Sequence, residues 1–185
     1  MSGNDVSVEM QRVAAAVHYV IAKADSGQLG YVKLNKVLWY SDLEHYRSHG
    51  VSITGLKHYT RTQVGPMSKE ISRAVGRLVK ERKVAERTVQ VTDYSRREMI
   101  SLEQPDFSVL IAEQIGILNR MIDIIAPLTA SQLSQMTSDD RLWLELKNQE
   151  AMPIGTGSII TRLPGDAVTY LGDRQSVEID PYRPN

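Results

Sequence analysis

A helix with one apolar side must bury that side, and any polar residue lying on it then needs a partner. Residues 31–49 pose this problem more sharply than any other part of the chain. At 100° per residue, Tyr31, Val32, Leu34, Leu38, Trp39, Leu43 and Tyr46 fall on one broad face, and Asn35, Asp42 and His45 fall within it. Lys33, Lys36, Glu44, Arg47 and Ser48 point mainly the other way. A carboxylate on the buried side is costly unless it is paired or hydrogen-bonded. The nearest segment able to answer Asp42 is the one just downstream. Gly50 stops the helix, and Val51, Ile53, Tyr59 and Val64 favour short extended pieces, with turns at Gly55 and at Gly65-Pro66. Asp42 is therefore expected to accept hydrogen bonds from the 54–66 run.

The remaining elements follow from periodicity and punctuation. Val6, Met10, Val13, Val17, Val20 and Ala24 recur at helical steps and predict a first helix over 5–26, with Gly27 as its stop. Ala14, Ala15 and Ala16 permit close approach of a neighbouring helix. Ser68 caps a third helix over 68–83, with Ile71, Ala74, Val75, Leu78 and Val79 as its apolar face. Two strands, 87–92 and 97–102, follow about a turn at 93–96. Residues 107–126 are apolar on more than one face, which predicts a helix near the centre of the bundle, ended by Pro127. Thr129 or Ser131 caps a short helix through Met136, and 138–140 caps another around 139–149, with Trp143 and Leu146 facing inward. After Pro153 the texture changes to glycine and proline punctuation. There 158–163, 167–171 and 177–179 read either as short strands or as a tail ordered by a partner.

Composition removes whole classes of function. The chain has 185 residues, enough for one domain with an appended segment, and 42% of them are hydrophobic, so a packed core is feasible. Basic and acidic residues balance at 22 each, which argues against wholesale electrostatic binding of nucleic acid but not against a local patch. The absence of cysteine rules out disulfides, thiolate nucleophiles and zinc–sulfur sites together, and fits a reducing compartment. The first residues lack a signal-peptide pattern and no apolar run is long enough to span a bilayer, so the expectation is a cytoplasmic protein without membrane attachment.

Few residues suggest chemistry. His45 and His49 stand at i, i+4 spacing, but the glutamate of the H-E-x-x-H pattern is missing and His58 is the only further ligand in view. Asp42 with His45 at i, i+3 has the types of an acid–base pair, yet no nucleophile elbow accompanies them. Gly155-x-Gly157 lacks the lysine and the strand–loop–helix setting of a phosphate loop. Hence no cofactor, metal or catalytic residue is assigned, and a binding protein is expected rather than an enzyme. The best electrostatic feature is the stripe Lys69, Arg73, Arg77 and Lys80, within a stretch (67–87) holding seven basic residues against three acidic ones. It reads as a solvated helix face, a contact for an acidic partner, or a nucleic-acid backbone site.

The segment 33–66 resembles the SocA-like antitoxin family, the Panacea domain. The resemblance rests on Lys33, Leu34, Lys36, Val37, Leu38, Trp39, Tyr40, Ser41 and Asp42, then His45, Gly50, Ile53, Thr54, Gly55, Tyr59, Gly65 and Pro66. It covers roughly residues 10–150. It implies a mainly α protein, a helical bundle with one small antiparallel hairpin or sheet. It also implies an antitoxin that neutralises a cognate toxin by direct contact, in some members as an adaptor to a cytoplasmic AAA+ protease. Asp42, His45, Thr54, Gly55, Gly65 and Pro66 would be the structural motif. Lys69, Arg73, Arg77, Lys80, Tyr170 and Tyr182 would be candidate partner contacts. The family often carries a histidine just before the helix bearing the late tryptophan, and here that place reads Thr137-Ser138-Asp139. The expected division is a domain over 1–153 and an extension over 154–185. The alternative reading is a winged-helix-like nucleic-acid binder using 68–102, and a third is a phage protein that blocks a host factor.

Overall fold

Helix α2 (Tyr31–His49) is buried along most of its length, on both sides. A computed structural model describes residues 8–91 and 94–164 of the chain. Around α2 the chain places α1 (Val8–Lys23), β1 (His58–Thr62), β2 (Gly65–Met67), α3 (Lys69–Lys80), β3 (Val84–Val91), β4 (Tyr94–Ser101), α4 (Ala112–Ile125), α5 (Ala130–Ser138), α6 (Arg141–Glu145), β5 (Ala151–Pro153) and α7 (Ile154–Ile160). α1, α4, α7 and β2 all pack against α2. The architecture is mainly α with small antiparallel β elements, as the sequence predicts.

The centre of the bundle is α2 rather than the helix of 107–126. That helix begins only at Ala112, because Asp106 accepts from the Ser108 N–H at 3.0 Å and holds 106–110 in a turn. Its inner face (Ile117, Leu118, Met121, Ile122, Ile125) joins the core, while Val109 and Ile111 ahead of it stay exposed. α1 packs against α3, and its Ala15 and Ala16 are buried.

β1 is the middle strand of a three-stranded sheet ordered β2-β1-β5, all antiparallel. Tyr59 pairs with Met152 across it, and both are buried. The last strand of this sheet therefore comes from the far end of the sequence, a pairing that local patterning does not announce. The second sheet is the ribbon β3–β4. Its strands begin earlier than the predicted 87–92 and 97–102. The reason lies at the end of α3: Arg82 takes φ 60, which lets the Lys83 N–H reach the Leu78 carbonyl at 2.9 Å and starts the strand at once. Pairing runs on to Val91 with Tyr94, so 94–96, read as part of a turn, belong to β4.

Two C-terminal expectations are corrected. The helix foreseen around 139–149 is only α6, capped by Asp140 through the Trp143 N–H at 3.2 Å. Leu142 is its core residue, while Trp143 lies half-buried under the Arg61 guanidinium, 3.8 Å from the ring centre. Residues 158–163 are not a strand, since 154–160 form α7, which lies on α2. Gly157 makes that approach possible: a Cβ there would stand 2.8 Å from the Trp39 ring and 2.9 Å from Leu43. Arg47 fastens the far side, donating to the carbonyl of Ser158 at 2.6 Å and to that of Thr161. The possible strands at 167–171 and 177–179 lie outside the described residues.

Candidate functional site

Asp42 is fully buried and is answered from the segment that follows α2. One carboxylate oxygen accepts the Thr54 N–H at 2.9 Å. The other accepts the Thr54 hydroxyl at 2.6 Å and the Tyr59 hydroxyl at 2.9 Å. Burial pushes its pKa up to about 6, against the opposing pull of these donors and of the Ile53 N–H. Tyr59 in turn packs edge-on against Trp39, with ring centres 5.1 Å apart, and its hydroxyl is raised well above the ordinary range by burial and by Asp42. Asn35, about two turns earlier, bridges in the same manner. Its amide donates to the Tyr31 carbonyl, and its oxygen accepts the N–H of Ser68, the cap of α3, at 2.9 Å.

His45 completes this side of α2. Its Nδ1 donates to the Val51 carbonyl at 2.7 Å, so Nε2 is the accepting nitrogen and takes the Gln114 amide at 3.2 Å. Gln114 is oriented for this because its oxygen accepts the Ile111 N–H. Both nitrogens of His45 are thus used inside the fold. The His49 ring stacks on His45 at 4.3 Å, and His49 Nε2 lies 3.4 Å from a Glu113 oxygen. Among the described residues there is no group of three or more side chains placed to hold a metal ion.

A second buried polar cluster lies on the opposite side of α2. Lys36, assigned by the helical wheel to the outward side, is 1% exposed. Its ammonium donates to the Leu133 carbonyl at 3.2 Å and to the Thr137 hydroxyl, both on α5. Desolvation lowers its pKa to about 8, with the negative charge of Asp140 opposing. Asp140 is also buried, bonded to Thr161 at 3.1 Å, and burial raises its pKa. Gly65, at φ 122, presses against this lysine: a Cβ would meet Nζ at 3.1 Å and Thr137 Oγ1 at 3.4 Å. Gly65 is required both by its backbone and by the ammonium beside it. Pro66 follows as a buried residue of β2, while Gly55, at φ 84, makes the turn between Thr54 and β1. The sequence reading missed the burial of Lys36 and the roles of Gln114 and Thr137, and took Asp140 only as part of a helix cap. Only the unusual apolar flanks of Lys36 hinted at its burial.

The basic stripe is on the surface but is not a free cationic strip. Lys69, Arg73 and Lys80 are exposed. Arg73 lies 3.8 Å from Glu70, and Arg77 donates to Glu81 at 2.6 Å. In the ribbon, Arg87 binds the buried Glu98 at 2.7 Å and Arg97 lies 4.0 Å from Glu86. A groove of about 220 Å³ between α1 and the end of α3 includes His18, Arg77, Glu81 and Lys83, and its cations are likewise paired with Glu81. Tyr170 and Tyr182 lie outside the described residues. No helix among the described residues is long and apolar enough to cross a membrane.

A family model described as antitoxin SocA-like, Panacea domain, matches residues 34–144. The match therefore takes in the Asp42 cluster, the Lys36 cluster apart from Thr161, α3 and the ribbon, and it stops before β5 and α7. No curated protein and no solved structure matches the chain.

Proposed function

The chain belongs to the SocA-like antitoxin family, and from that premise we propose that it is the antitoxin of a bacterial or prophage toxin–antitoxin module. On this reading it works in the cytoplasm and neutralises a cognate toxin by direct protein–protein contact, with no cofactor and no catalytic step. An additional arm of the proposal is that it serves as an adaptor delivering the toxin to an AAA+ protease.

The observation that supports a binding role, beyond family membership, is how the polar motif is used. Both oxygens of Asp42 and both ring nitrogens of His45 are committed to bonds within the fold. Groups so engaged build the domain and leave recognition to the surface: α3 with Lys69, Arg73, Arg77 and Lys80, the ribbon, and the segment carrying Tyr170 and Tyr182. The ion pairs along α3 and the ribbon favour a protein partner over a phosphate backbone, because the carboxylates beside Arg73, Arg77, Arg87 and Arg97 offset the charge that phosphates would need.

The test is co-expression with the protein encoded beside this gene. Growth arrest by that protein, relieved by this chain with recovery of a complex on size exclusion, is the expected outcome. No relief and no complex removes the reading. Relief that persists in hosts lacking each AAA+ protease in turn removes the adaptor arm alone.

A further inference from the structure

The ribbon β3–β4 leaves one strand edge open, and the direction of its backbone groups can be worked out. The Leu102 N–H bonds to the Lys83 carbonyl at 2.8 Å, which makes 83 and 102 a hydrogen-bonded pair. Hydrogen-bonded and non-bonded pairs alternate along an antiparallel ladder. With Ala85 opposite Ile100, Arg87 opposite Glu98 and Val89 opposite Arg96, those pairs hold the ribbon together. The N–H and C=O of Glu86, Thr88 and Gln90 therefore point out of β3, and those of Ser95, Arg97 and Met99 point out of β4.

The two edges differ. Beside β4 lies the start of α2: the Arg97 carbonyl is 4.0 Å from where a Gly30 side chain would begin. Along β3, Glu86, Thr88 and Gln90 are exposed, and among the described residues no backbone bond from outside the ribbon reaches them. Of the devices that normally blunt an edge, β3 has charged side chains only in its first half, at Glu86 and Arg87; it is eight residues long, contains no proline, and pairs with β4 without a bulge. Its outer half, 88–91, is Thr-Val-Gln-Val, uncharged and strand-favouring.

We propose that the open edge of β3 is where the toxin docks, by adding an extended strand of its own to Glu86, Thr88 and Gln90. The proposal rests on the antitoxin reading and deepens it. A row of outward backbone donors and acceptors is complemented by another strand's backbone, whereas phosphates offer no donors to satisfy the carbonyls. Exposed Lys80 and Arg82 at the root of β3 favour an acidic side chain at that end of the incoming strand.

The experiment is residue-resolved amide exchange on the full chain, alone and bound to the protein encoded beside this gene. The amides of Glu86, Thr88 and Gln90 are expected to exchange freely in the chain alone and at least tenfold more slowly in the complex. Thr88→Pro removes one outward N–H without touching the ribbon's internal bonds, and should weaken the complex at least tenfold, while Ser95→Pro on the other edge should not. A complex in which the three amides remain unprotected overturns strand docking and leaves the antitoxin reading standing. Absence of any complex overturns both. Protection already present in the free chain, whether lost on dilution or on truncation after Pro164, assigns the edge to a second copy or to residues 165–185 and overturns the proposal. Protection raised by duplex DNA instead of the neighbouring protein does the same. If Thr88→Pro does not fold, the exchange measurement alone decides.

Discussion

The ammonium of Lys36 meets the hydroxyl of Thr137 inside the protein, tying the central helix to α5. Thr137 passes the interaction on, donating to the Leu133 carbonyl at 3.1 Å, which also accepts from Lys36. Asp140, at the cap of α6, supplies the negative charge that partly compensates for burying the ammonium. Thr137 thus serves as the acceptor for a buried lysine.

Replacing Lys36 by methionine keeps the volume and removes the buried charge. Thr137 and the Leu133 carbonyl remain paired with each other, but the buried Asp140 loses the positive charge that opposes its own desolvation. Removing one of two interacting buried charges is destabilising because the other is left uncompensated. The variant should therefore be less stable than the wild type at pH 7 in urea unfolding. Lys36 has a folded pKa near 8, lowered from its ordinary value. The unfolded chain therefore binds the extra proton as pH rises through 8 to about 10, and wild-type stability should climb relative to the variant over that window. A variant at least as stable at pH 7 would show that desolvation of the ammonium outweighs its interaction with Asp140.

Asp42→Ala strands three donors at once: the Thr54 N–H, the Thr54 hydroxyl and the Tyr59 hydroxyl. Each unsatisfied buried group costs about 1–3 kcal/mol. A loss of roughly 3 kcal/mol or more is expected, enough to loosen or unfold a domain of ordinary stability. Thermal melting indistinguishable from the wild type would mean that Asp42 does not hold α2 to the 53–59 segment.

The pH dependence of this carboxyl has the opposite sign to that of an ordinary salt-bridged aspartate. Burial raises its folded pKa to about 6, above the unfolded value of about 4. Its contribution is therefore fully present below pH 4 and is lost as pH rises through 6. The urea midpoint of the wild type, measured relative to Asp42→Asn, should fall between pH 4.5 and pH 7. The carboxyl carbon-13 shift of Asp42 in the wild type should titrate with a midpoint near 6. A relative midpoint that rises over this range contradicts the assignment.

The placement of Asp42, Asn35 and His45 was legible because a period of 3.6 puts them among leucines and a tryptophan, and the following segment was the nearest source of donors. Lys36 was misplaced by the same device. A helical wheel assumes one buried face, whereas α2 is covered by α4 and α7 as well as by β2, so its second side is also interior. Gln114 was invisible for a related reason, since its use depends on the orientation of His45 across 69 residues of chain. β5 and α7 were misread because their pairing partners, β1 and α2, lie about ninety residues or more earlier, and the glycines that signal a tail in isolation are here the means of close packing. Local signals such as the Ser68 and Thr129 caps were readable because the hydrogen bonds they make stay within the element.

The last of these misreadings yields a test of where the folded unit ends. Gly157 lies against Trp39 and Leu43 so closely that one methyl group would overlap both. Overpacking of this kind typically costs about 1–3 kcal/mol. Gly157→Ala should therefore destabilise the domain by that order, or push α7 off α2 and expose the indole, seen as a red-shifted tryptophan emission. Truncation after Pro153 removes α7 with its Arg47 bonds and should melt well below a chain truncated after Pro164, which keeps them. Equal stability of the two truncated chains would show that α7 is dispensable and would place the boundary at 153 after all. Toxin binding is best compared in the chain ending at Pro164, where lost affinity would report on residues 165–185 and not on a core opened at Trp39.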